Sequence, residues 1–417
     1  MFSFFKREKI NRPELFLALD IGTEFVKALV CESQGNLAIV RGVGKQRQKL
    51  GDMQSGTVMD IGGVIENSRK AIDAANQEAD GYPTDVIIGI AGELVKGVTH
   101  RTTYVRKEPH VKIDLTELKN IIHKVQWKSF EETRGQIAYE TGYNEIDVKL
   151  VNAAIVDVRI DGYRVSNPIG FQGKEVQISI FNAFAPLVHY GALQTIAAEL
   201  ELNLMAITAE PYAVGRCLET EDDPQMNAIF IDIGGGTTDI AVVRNGSLEG
   251  TKMFTIGGRT FTKRLAGTLN ISFQEAEEIK LAYSAGQLEK QSERIVREAM
   301  EADAEVWLAG TTLTLSEFHN VDILPSKIYL CGGGCHLPEI KAALETKSWQ
   351  SELIFAKQPT IAAISPKQIS HVKDATKRLI GPQDVTPMAL ANIGLELSGE
   401  RHMISTILQK VIRLMQI

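Results

Sequence analysis

The sequence predicts an α/β protein of two related lobes, and three observations carry that prediction. First, "IFIDIGGGTTDIAVV" at 229–243 joins two apolar, strand-like runs through a turn of glycine and threonine. Second, "LFLALDIGTEFVKALV" at 15–30 repeats the plan about half a chain earlier, with Asp20 and Asp232 each near the end of a first strand. Self-similarity of this kind suggests lobes that each offer one hairpin to a shared ligand. Third, 417 residues are too many for one hydrophobic core.

The turns carry the chemistry. Glycine lets backbone approach a ligand closely, and threonine hydroxyls with N–H groups cradle phosphate oxygens. Taken alone, each stretch also suits a plain hairpin with a turn-capping carboxylate. A further glycine turn, "KIYLCGGGCHLPEIKAAL" at 327–344, reads as a buried strand, a turn and a helix with Pro338 near its start.

As an ordered set the turns resemble the actin-like ATPase superfamily. The matching positions are Asp20, Gly22 and Thr23, then Asp232, Gly234, Gly235, Gly236, Thr237, Thr238 and Asp239, then Gly332, Gly333 and Gly334. "ITAEPYAVG" at 207–215 resembles the connecting segment, with Glu210 before a proline. The resemblance implies an actin-like two-lobe ATPase fold that binds ATP and Mg²⁺ between its lobes. Asp20 and Asp232 would orient Mg²⁺ through its waters, and Thr23, Thr237 and Thr238 would offer hydroxyls to the phosphates. Lys27 would complete the first hairpin's part of the nucleotide site. Glu210 would act as the catalytic residue, polarising an attacking water.

Residues 86–175 form a distinct block. "IDLTELKNIIHKVQ" gives Asp114 or Thr116 as a helix cap, with Leu118, Ile121, Ile122 and Val125 on one face. "KLVNAAIVDVRIDGYRV" at 149–165 alternates like two strands around Asp161-Gly162. A compact α+β insertion fits, and Asp161, Gly162, Pro168, Gly170, Phe171 and Gly173 resemble a pattern of the FtsA family, bacterial cell-division proteins. Phe171 departs from that family's usual residue but stays apolar. "FTIGGRTFTKRLAGTLNISFQEAEEIKLAYSAG" at 254–286 resembles the family's Gly-Gly segment and the helix after it. By resemblance Gly257 and Gly258 lie near the second lobe's turn, and Glu277 and Lys280 near ribose and adenine. Read without the family, Glu277 and Lys280 are an i,i+3 pair on an exposed helix face.

The expected organisation is an N-terminal tail at 1–14 and a first lobe at 15–85, 176–209 and 384–397. The α+β (SHS2-like) insertion occupies 86–175. A second-lobe core takes 210–255 and 322–383, with an outer helical part at 256–321, and an amphipathic helix lies at 398–417. The stretch 349–383 is polar and irregular, with Pro359, Pro366 and Pro382.

Composition excludes several functions. A net charge of −7 and a pI near 5.7 argue against a nucleic-acid partner. The four cysteines are scattered, so a disulfide framework is not expected and a reducing cytoplasm fits. Cys331 and Cys335 bracket "CGGGC", but zinc needs four ligands and no second pair has suitable spacing, so small turn residues is the better reading. No apolar window is long enough for a transmembrane helix, and "MFSFFKREKINRPE" has no signal-peptide pattern.

At the other end, Ile404, Ile407, Leu408, Val411, Ile412 and Met415 recur at helical spacing, with Lys410 and Arg413 among the polar residues. The pattern suits a helix lying on an anionic membrane, and equally one packed on the protein's own core. The FtsA resemblance favours the membrane. It implies a filament-forming protein on the cytoplasmic face of the bacterial inner membrane at the division site. The partners it implies are the FtsZ C-terminal peptide, further copies of the chain and the membrane, with nucleotide as an assembly switch and at most slow hydrolysis. The alternatives are a PilM-like scaffold of the type IV pilus platform, favoured by the Phe/Lys-rich start, and a metabolic phosphotransferase, for which no acceptor site is evident.

Overall fold

The computed structural model describes residues 14–92, 95–141, 148–218, 225–319 and 321–398. The tail expected at 1–14, apart from Glu14, and the amphipathic helix expected at 398–417, apart from Ser398, lie outside the described residues.

The first lobe opens with an antiparallel meander: β1 (Glu14–Ile21), β2 (Phe25–Gln34) and β3 (Leu37–Arg47). A short ribbon of β4 (Met53–Gln54) and β5 (Thr57–Val58) leads to α1 (Ile61–Ala79). Asp60 starts that helix by accepting from the Gly62 and Gly63 amides. Its fit on β3 is tight, because a Cβ at Gly44 would stand 1.7 Å from the Ala71 carbonyl oxygen. β6 (Asp85–Ile90) then pairs parallel with β1.

The insertion follows as β7 (Lys96–Val105), α2 (Leu115–Thr141), β8 (Val148–Ile160), β9 (Tyr163–Arg164) and β10 (Glu175–Pro186). Asp114 is the cap residue of α2, accepting from the Glu117 amide at 2.7 Å, and Leu118, Ile121, Ile122 and Val125 are buried with Val158, Val176 and Ile178. Asp161 and Gly162 both have positive φ, as a two-residue hairpin requires. The Asp161–Gly173 pattern is a staple: the Asp161 carboxylate accepts from the Lys174 and Glu175 amides, and the Gly173 amide donates to Pro109. Beside it, buried Arg106 forks onto Glu117 with two 2.8 Å bonds.

Next come α3 (Leu187–Glu199), β11 (Asn203–Ala209) and α4 (Glu210–Arg216). The second lobe contains β12 (Ala228–Ile233), β13 (Thr238–Arg244), β14 (Ser247–Phe254), α5 (Gly258–Leu269), α6 (Phe273–Ser284) and α7 (Lys290–Ser316). It continues through β15 (Lys327–Cys331), α8 (Pro338–Glu345), α9 (Lys347–Gln350) and β16 (Thr360–Ala363). β17 (Val372–Asp374) and α10 (Val385–Ser398) return to the first lobe.

Two large sheets result. One runs β11-β6-β1-β2-β3-β17, and the other β16-β15-β12-β13-β14-β7-β10-β8-β9. A core formed by both sheets together with α4 and α10 includes Leu17, Leu19, Tyr212, Phe230, Ala241 and Leu390, while a second core lies between the second sheet and α5–α8. α10 is buried all round from Val385 to Leu395, which explains its continuous apolar sequence.

Strand pairing departs from the expected boundaries in three places. Asp85–Ile90 belongs to the first sheet, and Glu175–Pro186 lies between β7 and β8 within the insertion, so the inserted part runs from 96 to 186. Val372–Asp374, expected in the second lobe, pairs parallel with β3. The reason is common to all three: an apolar run marks a strand but not its neighbour, which long-range register decides.

Trp307 on α7 is fully buried under the second hairpin, and its Nε1 donates to Thr238 Oγ1 at 2.9 Å. Trp307→Phe keeps most of the packing and removes that bond. A loss of about 1–2 kcal/mol is expected, read as a lower urea midpoint by circular dichroism; an unchanged midpoint would show that the bond contributes nothing.

Candidate functional site

The glycine turns meet at a cleft of about 410 Å³ between the lobes. Each hairpin carries an aspartate as the penultimate residue of its first strand, Asp20 on β1 and Asp232 on β12, and both line the cleft. The third turn closes against the second hairpin. Gly332 has φ +81°, and a Cβ there would lie 2.2 Å from Asp232 Oδ1, so only glycine fits. Gly257 is needed for the same reason: its Cβ would meet the Gly234 carbonyl and the Thr237 amide at 2.7 Å.

Most of the expected residues line this cleft. From the first hairpin they are Asp20, Gly22, Thr23 and Lys27; from the second, Asp232, Gly234, Gly235 and Thr237. Glu210, Gly258, Glu277 and Lys280 join them, with Gly332, Gly333 and Gly334 of the third turn. Three do not. Gly236 packs against the first lobe, where its Cβ would stand 2.9 Å from Thr23 Oγ1, and Gly257 lies behind the hairpin. Thr238 is wholly buried on the far side, its hydroxyl held between Trp307 and the Ile256 carbonyl, so it offers nothing to a ligand. Glu277 and Lys280 are also not the exposed pair that helix spacing alone gives. Both are buried and joined at 2.8 Å, and Lys280 Nζ donates to the Gly258 carbonyl and Thr262 hydroxyl.

Carboxylates outnumber basic side chains along the cleft. Lys27 Nζ is 3.1 Å from Asp20 Oδ2 and donates to the Gln383 carbonyl at 2.8 Å. Burial works against the Lys27 charge, but Asp20, then Asp232 and Asp384, hold its pKa above the ordinary lysine value. Burial raises the Asp232 pKa, opposed by the hydroxyl of Thr386, which donates to Asp232, and by Lys27. Asp239, on the same strand face as Thr237, accepts from the Thr237 hydroxyl through Oδ2, while its buried Oδ1 has no hydrogen-bond partner among the described residues. Burial first, and Asp232 second, push the Asp239 pKa up to about 8. Glu210 is raised well above the carboxylate range by burial and then by Asp20, Asp239 and Asp232. Gly89 makes room for it, since a Cβ there would meet Glu210 Oε1 at 2.6 Å.

The sequence reading did not assign site roles to Thr386, Glu24 or Arg259. Arg259 reaches across the cleft, with Nε 2.8 Å from Glu24 Oε2 and Nη1 donating to the Met53 carbonyl, and Arg47 holds the other Glu24 oxygen at 2.7 Å. No local pattern marks these residues. Asp239 had a usable signal: alternation along β13 puts it on the Thr237 side.

No group of three or more histidine, cysteine or carboxylate side chains is placed to hold a metal ion among the described residues. Asp20 and Asp232 therefore fit a cation that keeps its waters, as Mg²⁺ commonly does, better than a fully chelated one.

The comparisons agree with this geometry. A family model described as cell division protein FtsA matches residues 229–378, from the second hairpin to just before α10. The chain is 30% identical over 272 residues to the cell division protein FtsA of Neisseria meningitidis, covering 64% of this chain and 60% of that one. It is 24% identical over 349 residues to FtsA of Enterococcus faecalis, covering 78% and 75%. The chain is a relative of the FtsA family. The match to the Neisseria protein and to the Bacillus subtilis FtsA spans about three fifths of their length, 60% and 58%. Among solved structures, the PilM-PilN type IV pilus biogenesis complex aligns with TM-score 0.64 at 18% identity, over 92% of this chain and 99% of that one. That likeness is one of fold, and the two-lobed α/β class expected from the sequence is the one observed.

Asp239 gives a pH prediction. A carboxyl whose pKa rises on folding stabilises the protein fully below its unfolded pKa of about 4, progressively less as pH rises toward 8, and not above it. Asp239→Asn should therefore flatten the fall in stability between pH 4 and 8, by at most about 1.4 kcal/mol per pH unit. Urea unfolding of chelator-treated, nucleotide-free protein measures this; an identical slope in both proteins would contradict the assignment.

Proposed function

We propose that this FtsA relative binds ATP with Mg²⁺ in the interlobe cleft and uses it as a conformational and assembly switch. The observation that carries the reading is the pair of glycine hairpins facing each other across one cleft, each with an aspartate near its first strand's end. Among the described residues the Thr23 and Gly235 amides have no acceptor and are available to phosphate oxygens. The partnerless Asp239 Oδ1 suits a water of the cation's shell. When bound, Mg²⁺ would neutralise phosphate charge beside Asp20 and Asp232. Lys27 would stand beside the phosphates, and Glu277 and Lys280 would border the nucleoside end.

Glu210 is the candidate to orient an attacking water. The family relation supports a role in cell division, as a protein that polymerises at the cytoplasmic face of the inner membrane and tethers FtsZ. In this reading Ile404, Ile407, Leu408, Val411, Ile412 and Met415 enter the membrane surface, and Lys410 and Arg413 meet anionic headgroups. Among the described residues no helix is long and apolar enough to cross a membrane. A pilus-platform scaffold is the second reading, supported by the PilM likeness of fold alone.

Two measurements test the proposal. Asp232→Ala should weaken Mg-ATP binding at least tenfold in calorimetry while leaving the circular dichroism spectrum unchanged; full affinity would remove Asp232 from the cation site. Co-sedimentation with anionic vesicles, for the full chain and a 1–402 truncation with and without Mg-ATP, tests the tether. Loss of binding by a folded truncation is expected, and equal behaviour would favour the scaffold reading.

A further inference from the structure

A row of three charged side chains crosses the first-lobe sheet on the side that lines the cleft. In the antiparallel register Asp20 of β1 stands opposite Lys27 of β2, and Lys27 stands opposite Lys45 of β3. Directly opposed residues share one sheet face, and all three line the cleft. From the middle of the sheet outward the row therefore reads carboxylate, ammonium, ammonium.

The two lysines differ in what they touch. Lys27 pairs with Asp20 and donates to the Gln383 carbonyl. Lys45 is exposed, and among the described residues its side chain makes no hydrogen bond or ion pair. Its Nζ rests instead on its diagonal neighbour on β2, 3.9 Å from the centroid of the Phe25 ring. The other lysine and arginine side chains lining the cleft are each committed to a carboxylate: Lys27 to Asp20 at 3.1 Å, Arg259 to Glu24 at 2.8 Å and Lys280 to Glu277 at 2.8 Å.

Like charges directly opposite on adjacent strands are destabilising. Partial burial against the cleft wall, and then the charge of Lys27, lower the Lys45 pKa, with Asp384, Asp20 and Glu24 opposing. The placement thus costs the free protein something, and an anion seated against both ammonium groups relieves it. A contact between an exposed ammonium and an aromatic ring is weak, so Lys45 can leave Phe25 for a stronger partner.

We infer that Lys45 is a second phosphate-binding lysine of the cleft, leaving the Phe25 ring to seat beside Lys27 on the phosphate chain of the nucleotide. The inference rests on the nucleotide reading of the cleft and adds to it the side chain that brings uncommitted positive charge. A phosphate chain suits the row better than a single carboxylate, because its neighbouring anionic oxygens can meet two ammonium groups at once.

The test uses the full-length chain and calorimetry with Mg-ATP and Mg-ADP. K45Q should bind both about tenfold more weakly than wild type, with an unchanged thermal midpoint in the absence of nucleotide. K45R, which keeps the charge, should recover most of the affinity. The gap between wild type and K45Q should narrow as salt is raised, as screening of a charge contact requires. Equal affinities of wild type and K45Q would overturn the inference and leave the nucleotide reading standing. A loss in K45R as large as in K45Q, or a gap indifferent to salt, would also overturn it, as marks of a purely structural role. No nucleotide binding by the wild type would remove the nucleotide reading itself, and this inference with it.

Discussion

The structure depends on gathering acidic side chains from both lobes around Lys27. Asp20, Asp232, Asp239 and Glu210 approach one another in the cleft, with Lys27 paired to Asp20. Like charges held this way cannot all ionise cheaply. The fold meets the cost by protonation, by the Thr386 and Thr237 hydroxyls, and by keeping Lys27 charged against its own burial. A site so organised disfavours its own fully ionised state.

The glycines serve that same arrangement. At Gly332, Gly257 and Gly89 a methyl group would occupy space needed by Asp232, the second hairpin or Glu210. Their presence follows from sterics at the site, while the strands leading to them are apolar because they are buried. Cleft geometry and core packing meet at these residues.

This explains what was legible in the sequence. The hairpins and the third turn could be read because their demands are local: an apolar strand, an aspartate, then glycine. The insertion helix showed its buried face through Leu118, Ile121, Ile122 and Val125 for the same reason. Thr238 was misassigned because adjacent strand residues point to opposite faces, and the composition of the turn hid the alternation. The burial of Glu277 and Lys280 depends on α5 lying over them, and the contact of Arg259 with Glu24 joins positions far apart in the chain. Neither leaves a periodic trace. The strand boundaries at 85–90, 175–186 and 372–374 were likewise set by pairing partners that no local window contains.

The position of α4 and α10 between the two sheets has a mechanical consequence. Both helices pack on each other and into a core shared by both lobes, so a change in cleft width must be taken up largely by sliding at this helix pair, a shear rather than a free hinge. Glu210 is the first residue of α4, and Thr386, which holds Asp232, is the second of α10. The slip plane therefore begins at the chemistry itself. Small displacements of one helix along the other alter the spacing between Glu210 and Asp232, so that lobe position and the arrangement of the cleft carboxylates form a single mechanical coordinate.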